Sequence, residues 1–379
     1  MSVKSIKFID KRIGNLLCAI LGSFSKCKKP DKAENILVIQ LWGIGETILA
    51  LPAIRALRNR YKKAKITVLA TKRNSDIFYN DKDINKIILL KLNPFSILHF
   101  IIKEYKKYDF TIDMEEYLNI SAIISFFVGK YRIGYSHNAR SRIYNEKVRY
   151  NDRQHAMQTF LDLARALKAG YKEKKLIKLN YSVKDRNTIN NFLKHNKISK
   201  KDFLIGIAPG AAESGKARMW PWRNYAELCN NILNKDKKSK IILIGNKEEN
   251  KITKKIQNGI KEKARIINTA GLFNLNALFC LIEKCNLFIG NDSGPMHIAA
   301  AQGVKTIGLF GPNLPVRFGP YGKGNAAVYK GYNCRFSPCI NVHKGQVPDC
   351  LFPKNSEDYQ KCMKNIKVED IMKQLNRLY

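Results

Sequence analysis

Twice along the chain, short apolar runs end in small-residue loops and lead into helical patterns. Residues 35–40 form the first such run, too short for a core helix and suited to a strand buried on both faces. The loop Trp42-Gly-Ile-Gly-Glu46 follows, then helical spacing through Leu49, Ile54 and Leu57. Residues 65–70, 84–90, 110–113 and 132–135 read as further strands, and 121–128 as a helix. After a Lys-rich stretch at 171–201 the alternation restarts. Residues 204–208, 240–245, 287–290 and 306–310 are strand-like, with helices starting near Trp222 and Pro295.

This pattern predicts an α/β chain with two Rossmann-like, doubly wound units. A length of 379 residues agrees with two domains. Ligands of such sheets bind beyond the carboxyl ends of the strands. Two units facing a central cleft would therefore each supply one ligand edge. The expected division is a basic amphipathic helix at 1–34, one unit at 35–185, a second at 186–330, and a Cys-containing segment at 331–379 that packs back on the body.

The chain carries 68 Lys and Arg against 31 Asp and Glu, a formal charge of +37. A field of that sign attracts nucleic acid, anionic lipid or phosphorylated glycan, although scattered surface Lys gives the same total. The charge forms no basic arm, and no nucleic-acid-binding motif accompanies it, so nucleic acid is not expected as a partner. Near the start, Ile6, Ile9, Ile13, Leu16, Leu17, Ile20, Leu21 and Phe24 recur at helical spacing among Lys4, Lys7, Lys11 and Arg12. Such a helix either lies on an anionic membrane or packs on the first unit. A cleaved signal peptide is opposed by the short apolar run and the lack of a small-residue cleavage site.

Nine Cys, mostly unclustered, point to a reducing compartment. Cys334, Cys339, Cys350 and Cys362 fall late, with His343 among them. They could bind one structural zinc, pair as disulfides or stay reduced. Their irregular spacing lacks a paired Cys-x2-Cys knuckle.

Three segments carry chemistry. Asn291-Asp-Ser-Gly-Pro-Met-His297 follows a strand and opens a helix, an arrangement that favours phosphate at the free amides around Gly294. Asp292 and Ser293 either cap that helix or meet a sugar hydroxyl, and His297 is a ligand contact or a core residue. In residues 208–221, Gly210 and its small neighbours leave room for a diphosphate, and Lys216 or Arg218 supplies the cation. The loop Gly43-Ile-Gly45-Glu46 begins like a dinucleotide fingerprint but has Ile48 at the third glycine position, and no acidic residue ends the second strand. Glu46 at that mouth is a candidate general base or a helix-start acid.

Taken in order, these motifs resemble glycosyltransferase family nine, the heptosyltransferases. Gly45-Glu46 stands where the family has Gly-Asp, and Leu51-Pro-Ala where it has Leu-Pro-Ala. The loop from Pro209, Trp220-Pro221, Ala270-Gly-Leu, residues 291–301, Gly308-Leu-Phe-Gly-Pro312 and Phe318-Gly-Pro-Tyr321 complete the likeness over about residues 35–379. The resemblance implies a GT-B fold and inverting, metal-independent transfer of a heptose or related sugar from an ADP-activated donor. The acceptor would be an anionic lipid-linked saccharide of a lipopolysaccharide core or other surface glycan. It places the catalytic carboxylate on Glu46 and the phosphate-binding cation on Arg218. The acidic ribose contact falls on Glu248 or its neighbour Glu249, and further donor contacts on Asp292, Ser293, Gly294 and His297. Glu replaces Asp at 46 and Arg replaces Lys at 218, which keeps open a UDP- or GDP-sugar donor or a non-catalytic role. The implied location is cytoplasmic, at the inner face of the membrane.

Overall fold

A computed structural model describes residues 3–25, 27–211 and 213–378; the side chains of 3–9, 213 and 214 lie outside that description. The predicted helical positions Lys4, Ile6, Lys7 and Ile9 fall among those side chains. Contacts divide the chain into two units, Met1–Glu173 with Val342–Gly345, and Lys174–Asn341 with Gln346–Tyr379.

The first unit runs α1 (Val3–Gly22), β1 (Asn35–Ile39), α2 (Ile44–Arg60), β2 (Lys65–Ala70), β3 (Lys86–Leu89), α3 (Pro94–Lys103), β4 (Tyr108–Asp113), α4 (Asn119–Val128), β5 (Gly129–Tyr135), β6 (Glu146–Val148) and α5 (Ala156–Arg165). Its six strands are all parallel, in the order β3-β2-β1-β4-β5-β6. Ile36, Leu37, Val38 and Ile39 are fully buried because helices cover both faces of the sheet. Leu37, Ile39 and Leu69 pack with Phe100 of α3 and Ile124 and Val128 of α4. α2, packed with α5, carries apolar side chains around most of its circumference.

The second unit runs α6 (Val183–His195), β7 (Phe203–Ala208), α7 (Trp222–Lys235), β8 (Ser239–Leu243), α8 (Asn250–Asn258), β9 (Ile266–Asn268), α9 (Leu275–Glu283), β10 (Leu287–Asn291), α10 (Gly294–Ala301), β11 (Lys305–Phe310), α11 (Pro315–Phe318), β12 (Ala326–Tyr329), α12 (Lys361–Lys364) and α13 (Val368–Leu378). Its strand order is β12-β11-β10-β7-β8-β9, again all parallel. Numbered within each unit, both sheets read 3-2-1-4-5-6. The switch points are therefore β1/β4 and β7/β10, and each sheet's ligand crevice is expected there.

Two boundaries and one element differ from the sequence reading. The second unit starts at Lys174, not 186, because Leu176 and Leu179 are buried and the Leu179 amide donates to Gln302 Oε1 at 3.1 Å. The stretch 171–201 contains α6, whose start carries a Ser182–Asp185 capping box. Its pattern was weak because only Ile189 among its residues is fully buried. The C-terminal segment is divided. Ile366, Ile371 and Leu375 complete the core of the second unit, whereas His343 joins the first, where it stacks on Tyr150 with ring centroids 4.6 Å apart.

α1 is packed on its unit. The Asp10 carboxylate reaches across to cap α4, accepting the Asn119 amide at 3.0 Å and the Ile120 amide at 2.8 Å. Gly14 lies so close to Asn119 that a side chain there would collide, and Cys18 is buried beside Ala122 and Ile123.

Candidate active site

At the β7/β10 switch point, Asn291 ends β10 with its side chain fully buried. Its Oδ1 accepts the Trp220 amide at 3.1 Å and the Tyr225 hydroxyl at 2.9 Å. Its Nδ2 donates to the carbonyls of Pro209 at 2.8 Å and Gly210 at 3.3 Å. One side chain thus pins both ends of the 209–221 loop to the end of β10.

Asp292 does not cap α10. The position before the helix is Ser293, without a side-chain cap bond; its hydroxyl donates to the Asn291 carbonyl at 3.3 Å. The Asp292 carboxylate accepts Asn313 Nδ2 at 2.9 Å and lies 3.5 Å from Arg218 Nη1, which also donates to the Asp292 carbonyl at 3.1 Å. Arg218 Nε is buried and has no hydrogen-bond partner among the described residues. A side chain at Gly215 would strike the guanidinium, so the glycine makes room for it. Lys216, the other candidate cation, is exposed. Gly294 and Pro295 open α10; Pro295 has no N–H and the Met296 amide donates to the Ser293 carbonyl at 3.2 Å, so the donor that the helix start offers is the Gly294 amide. His297 is buried one turn on.

The acidic residue at this crevice is Glu249, not Glu248. Glu248 is exposed. Glu249 accepts the Asn246 amide at 2.8 Å, while its own amide donates to Asn246 Oδ1 at 2.9 Å. Its other carboxylate oxygen lies against Gly210, where a side chain would collide with it. Burial raises its pKa above the usual carboxylate value. The sequence offered two adjacent Glu without a way to tell which one turns inward.

At the β1/β4 switch point, Glu46 lies in the first turn of α2. Gly43 precedes the helix at φ +79°, and the Glu46 carboxylate folds back over it, leaving no space for a side chain at 43. The loop is held from both sides. Asn74 Nδ2 donates to the Gln40 carbonyl at 2.8 Å and to Thr47 Oγ1 at 2.9 Å. Opposite, Glu115 Oε1 accepts the amides of Leu41 at 2.6 Å and Trp42 at 2.9 Å. Burial, reinforced by the neighbouring Asp113 charge, pushes the Glu115 pKa up to about 8.

Beneath lies a buried ion pair, Arg140 with Asp113 at 2.6 Å, in which the Tyr144 hydroxyl donates to Asp113 at 2.7 Å. The Tyr150 hydroxyl donates to Glu116 at 2.5 Å, and Tyr117 feels the charges of Glu115, Glu46 and Glu116 on top of its burial. Residues 115–117 were missed from sequence. Their signal was the run Asp113-Met-Glu-Glu116 at the end of a switch-point strand.

The late Cys residues share a neighbourhood in the second unit. Cys362 Sγ lies beside Gly311, the Cys339 amide donates to Pro312, and the Gln360 amide donates to Cys350 Sγ at 3.4 Å. All four thiols are free, and among the described residues no group of three or more His, Cys, Asp and Glu is placed to hold a metal.

The model of glycosyltransferase family 9 (heptosyltransferase) matches residues 102–344. The chain belongs to that family. Lipooligosaccharide heptosyltransferase 2 of Campylobacter jejuni is 24% identical over 339 residues, covering 88% of this chain and 95% of the relative. Among solved structures, Escherichia coli ADP-heptose lipopolysaccharide heptosyltransferase II matches with TM-score 0.70 at 21% identity, over 91% of this chain and 98% of that one. A family 9 glycosyltransferase from Veillonella parvula matches with TM-score 0.75 at 19% identity, over 93% and 98%. The fold is GT-B, with two Rossmann-like units, and the chain is a glycosyltransferase. No helix among the described residues is long and apolar enough to cross a membrane.

Proposed function

We propose that this heptosyltransferase family member moves a heptose from ADP-heptose to an anionic, lipid-linked saccharide of a lipopolysaccharide core, with inversion. The donor and acceptor classes come from its relatives, whose names specify ADP-heptose and lipopolysaccharide or lipooligosaccharide. The observation that carries the reading is the chemistry at the two switch points. One crevice holds a cation, a helix start and a glycine loop; the other holds a carboxylate on a clamped turn.

The donor diphosphate is held at Arg218 and the Gly294 amide at the start of α10, and Glu249, for which Gly210 leaves room, reaches the ribose. Asp292 orients Arg218, and His297 stands beside the leaving group. Glu46 takes the proton of the acceptor hydroxyl as its oxygen bonds to the sugar's anomeric carbon. The bond from that carbon to the diphosphate breaks, and ADP leaves with the electron pair. Arg218 and the helix start stabilise the charge that grows on the diphosphate, which is the role a metal ion would otherwise fill.

Peripheral contact with the anionic inner face of the cytoplasmic membrane, through α1 and the basic surface, belongs to the same reading. Arg73, stacked 4.9 Å over Trp42 beside the Glu46 loop, is a cation that the acceptor's acidic groups would meet. The test is turnover of ADP-heptose, beside UDP- and GDP-sugars, on a purified inner-core glycolipid with and without chelator. Product from ADP-heptose that survives chelation supports the reading. Product from a UDP- or GDP-sugar alone would replace the donor, and no product from any donor would sink the transferase assignment.

A further inference from the structure

α3 is apolar on both faces. Phe100 is buried in the core of the first unit, and Ile97 and Ile101 pack against it. The opposite face carries Phe95 at 86% exposure, Leu98 at 57% and Ile102 at 69%. A helix with one face already in the core ordinarily turns a polar face to water. α8 does so, burying Thr253 and Ile256 and pointing Lys251, Lys254 and Lys255 outward or to the rim.

α1 has the same anomaly. It is anchored through Asp10, Gly14 and Cys18, yet Leu16 and Ile20, and Phe24 just beyond its end, are 62%, 51% and 74% exposed. Both helices pack against α4, so the two exposed stripes belong to one helical layer on one side of the sheet.

The charge around them has one sign. No carboxylate occurs from Lys11 to Pro30. Between Asn85 and Tyr108 the only one is Glu104, which is buried and accepts the Tyr108 hydroxyl at 3.0 Å. Lys91, Lys103 and Lys107 border the α3 stripe and are exposed, as are Lys28 and Lys29 beyond α1.

We propose that α1 and α3 together form a bilayer-seating surface, with α3 as a second foot that inserts Phe95, Leu98 and Ile102 among the acyl chains of an anionic membrane. Exposed apolar side chains bordered by Lys, with the nearby Glu104 carboxylate buried and paired with Lys107 at 3.8 Å, match an interface with apolar depth and negative headgroups. Two separate stripes fix the orientation of the unit on the surface, which a single helix leaves free to roll. The inference gives the lipid-linked acceptor of the proposed function its route to the enzyme. It is read by lipid binding without turnover, so the two ideas fail separately.

The experiment is sedimentation of the full chain with vesicles of phosphatidylethanolamine and phosphatidylglycerol, against vesicles of phosphatidylcholine. The variants are F95E/L98E/I102E on α3 and L16E/I20E on α1, each with its melting temperature and ADP binding measured as fold controls. Binding to the anionic vesicles only, weakened about tenfold or more by either variant with the fold intact, is the expected result. Should a variant fail to fold, F95S alone and L16S alone are read in its place. Undiminished binding by the folded α3 variants overturns the second foot. Equal binding to phosphatidylcholine overturns the anionic partner, and a dimer that the α3 variants dissociate assigns the surface to a second copy of the chain instead.

Discussion

Glu115 Oε1 receives the Leu41 amide at 2.6 Å, so the turn that carries Glu46 is fastened to a buried carboxyl two residues past the end of the neighbouring switch-point strand. Burial raises that carboxyl to about pH 8 from an ordinary 4.5. The folded chain therefore holds a proton there that the unfolded chain has released. Its stabilising contribution is complete below pH 4.5 and is lost as pH rises towards 8. Glu115→Gln keeps an accepting oxygen and removes the titration. The stability of the parent minus that of the variant should fall on the order of 1 kcal/mol per pH unit between those limits and stay flat above pH 8. Denaturant melts at several pH values check this; a difference that does not vary with pH would show that the carboxyl keeps its ordinary pKa.

Glu46→Gln keeps the size of the side chain and removes the base. Turnover should drop by roughly a hundredfold or more. Nucleotide affinity should stay within about twofold of the parent, because Glu46 and the proposed donor groups lie on different sheets. Single-turnover kinetics and titration with ADP separate these effects. Loss of ADP binding would place Glu46 in the donor site.

Arg218→Lys keeps the charge but loses the planar guanidinium, whose Nη1 contacts both the carbonyl and the carboxylate of Asp292. Turnover should fall by about tenfold, and Arg218→Met should weaken ADP by roughly 2 kcal/mol through loss of a charge-assisted contact. Single-turnover kinetics read the first and calorimetric titration with ADP the second. Unchanged ADP affinity in the Met variant would remove Arg218 from the phosphate site.

The parallel sheets were legible because buried strands announce themselves as unbroken apolar runs, as residues 35–39 and 287–290 do. Glu46, Arg218 and Asp292 were legible because charged residues stand out beside glycine loops. Asn291 and Glu115 were not, because they act on backbone amides and carbonyls at strand ends, and no spacing rule marks an acceptor of that kind. α6 was hidden by its Lys and Asn content, since its stability comes from the cap and from packing on α9. The choice between Glu248 and Glu249 needed the turn geometry that points one carboxylate at Gly210.

Asn291 makes the sharpest test of the donor crevice. Its oxygen satisfies the Trp220 amide and the Tyr225 hydroxyl, and its nitrogen satisfies the Pro209 carbonyl, all in the buried core. Asn291→Ala leaves these groups without partners, at a cost of about 2–4 kcal/mol. Asn291→Asp keeps the acceptor towards Trp220 and Tyr225 but puts a carboxylate against the Pro209 carbonyl, which repels it. That variant should release the start of the 209–221 loop while its far end stays pinned. Hydrogen exchange should then speed up at Gly210 and Ala211 more than at Tyr225, and ADP should bind more weakly by about tenfold. If exchange rose equally at both ends, Asn291 would be holding the core rather than the loop.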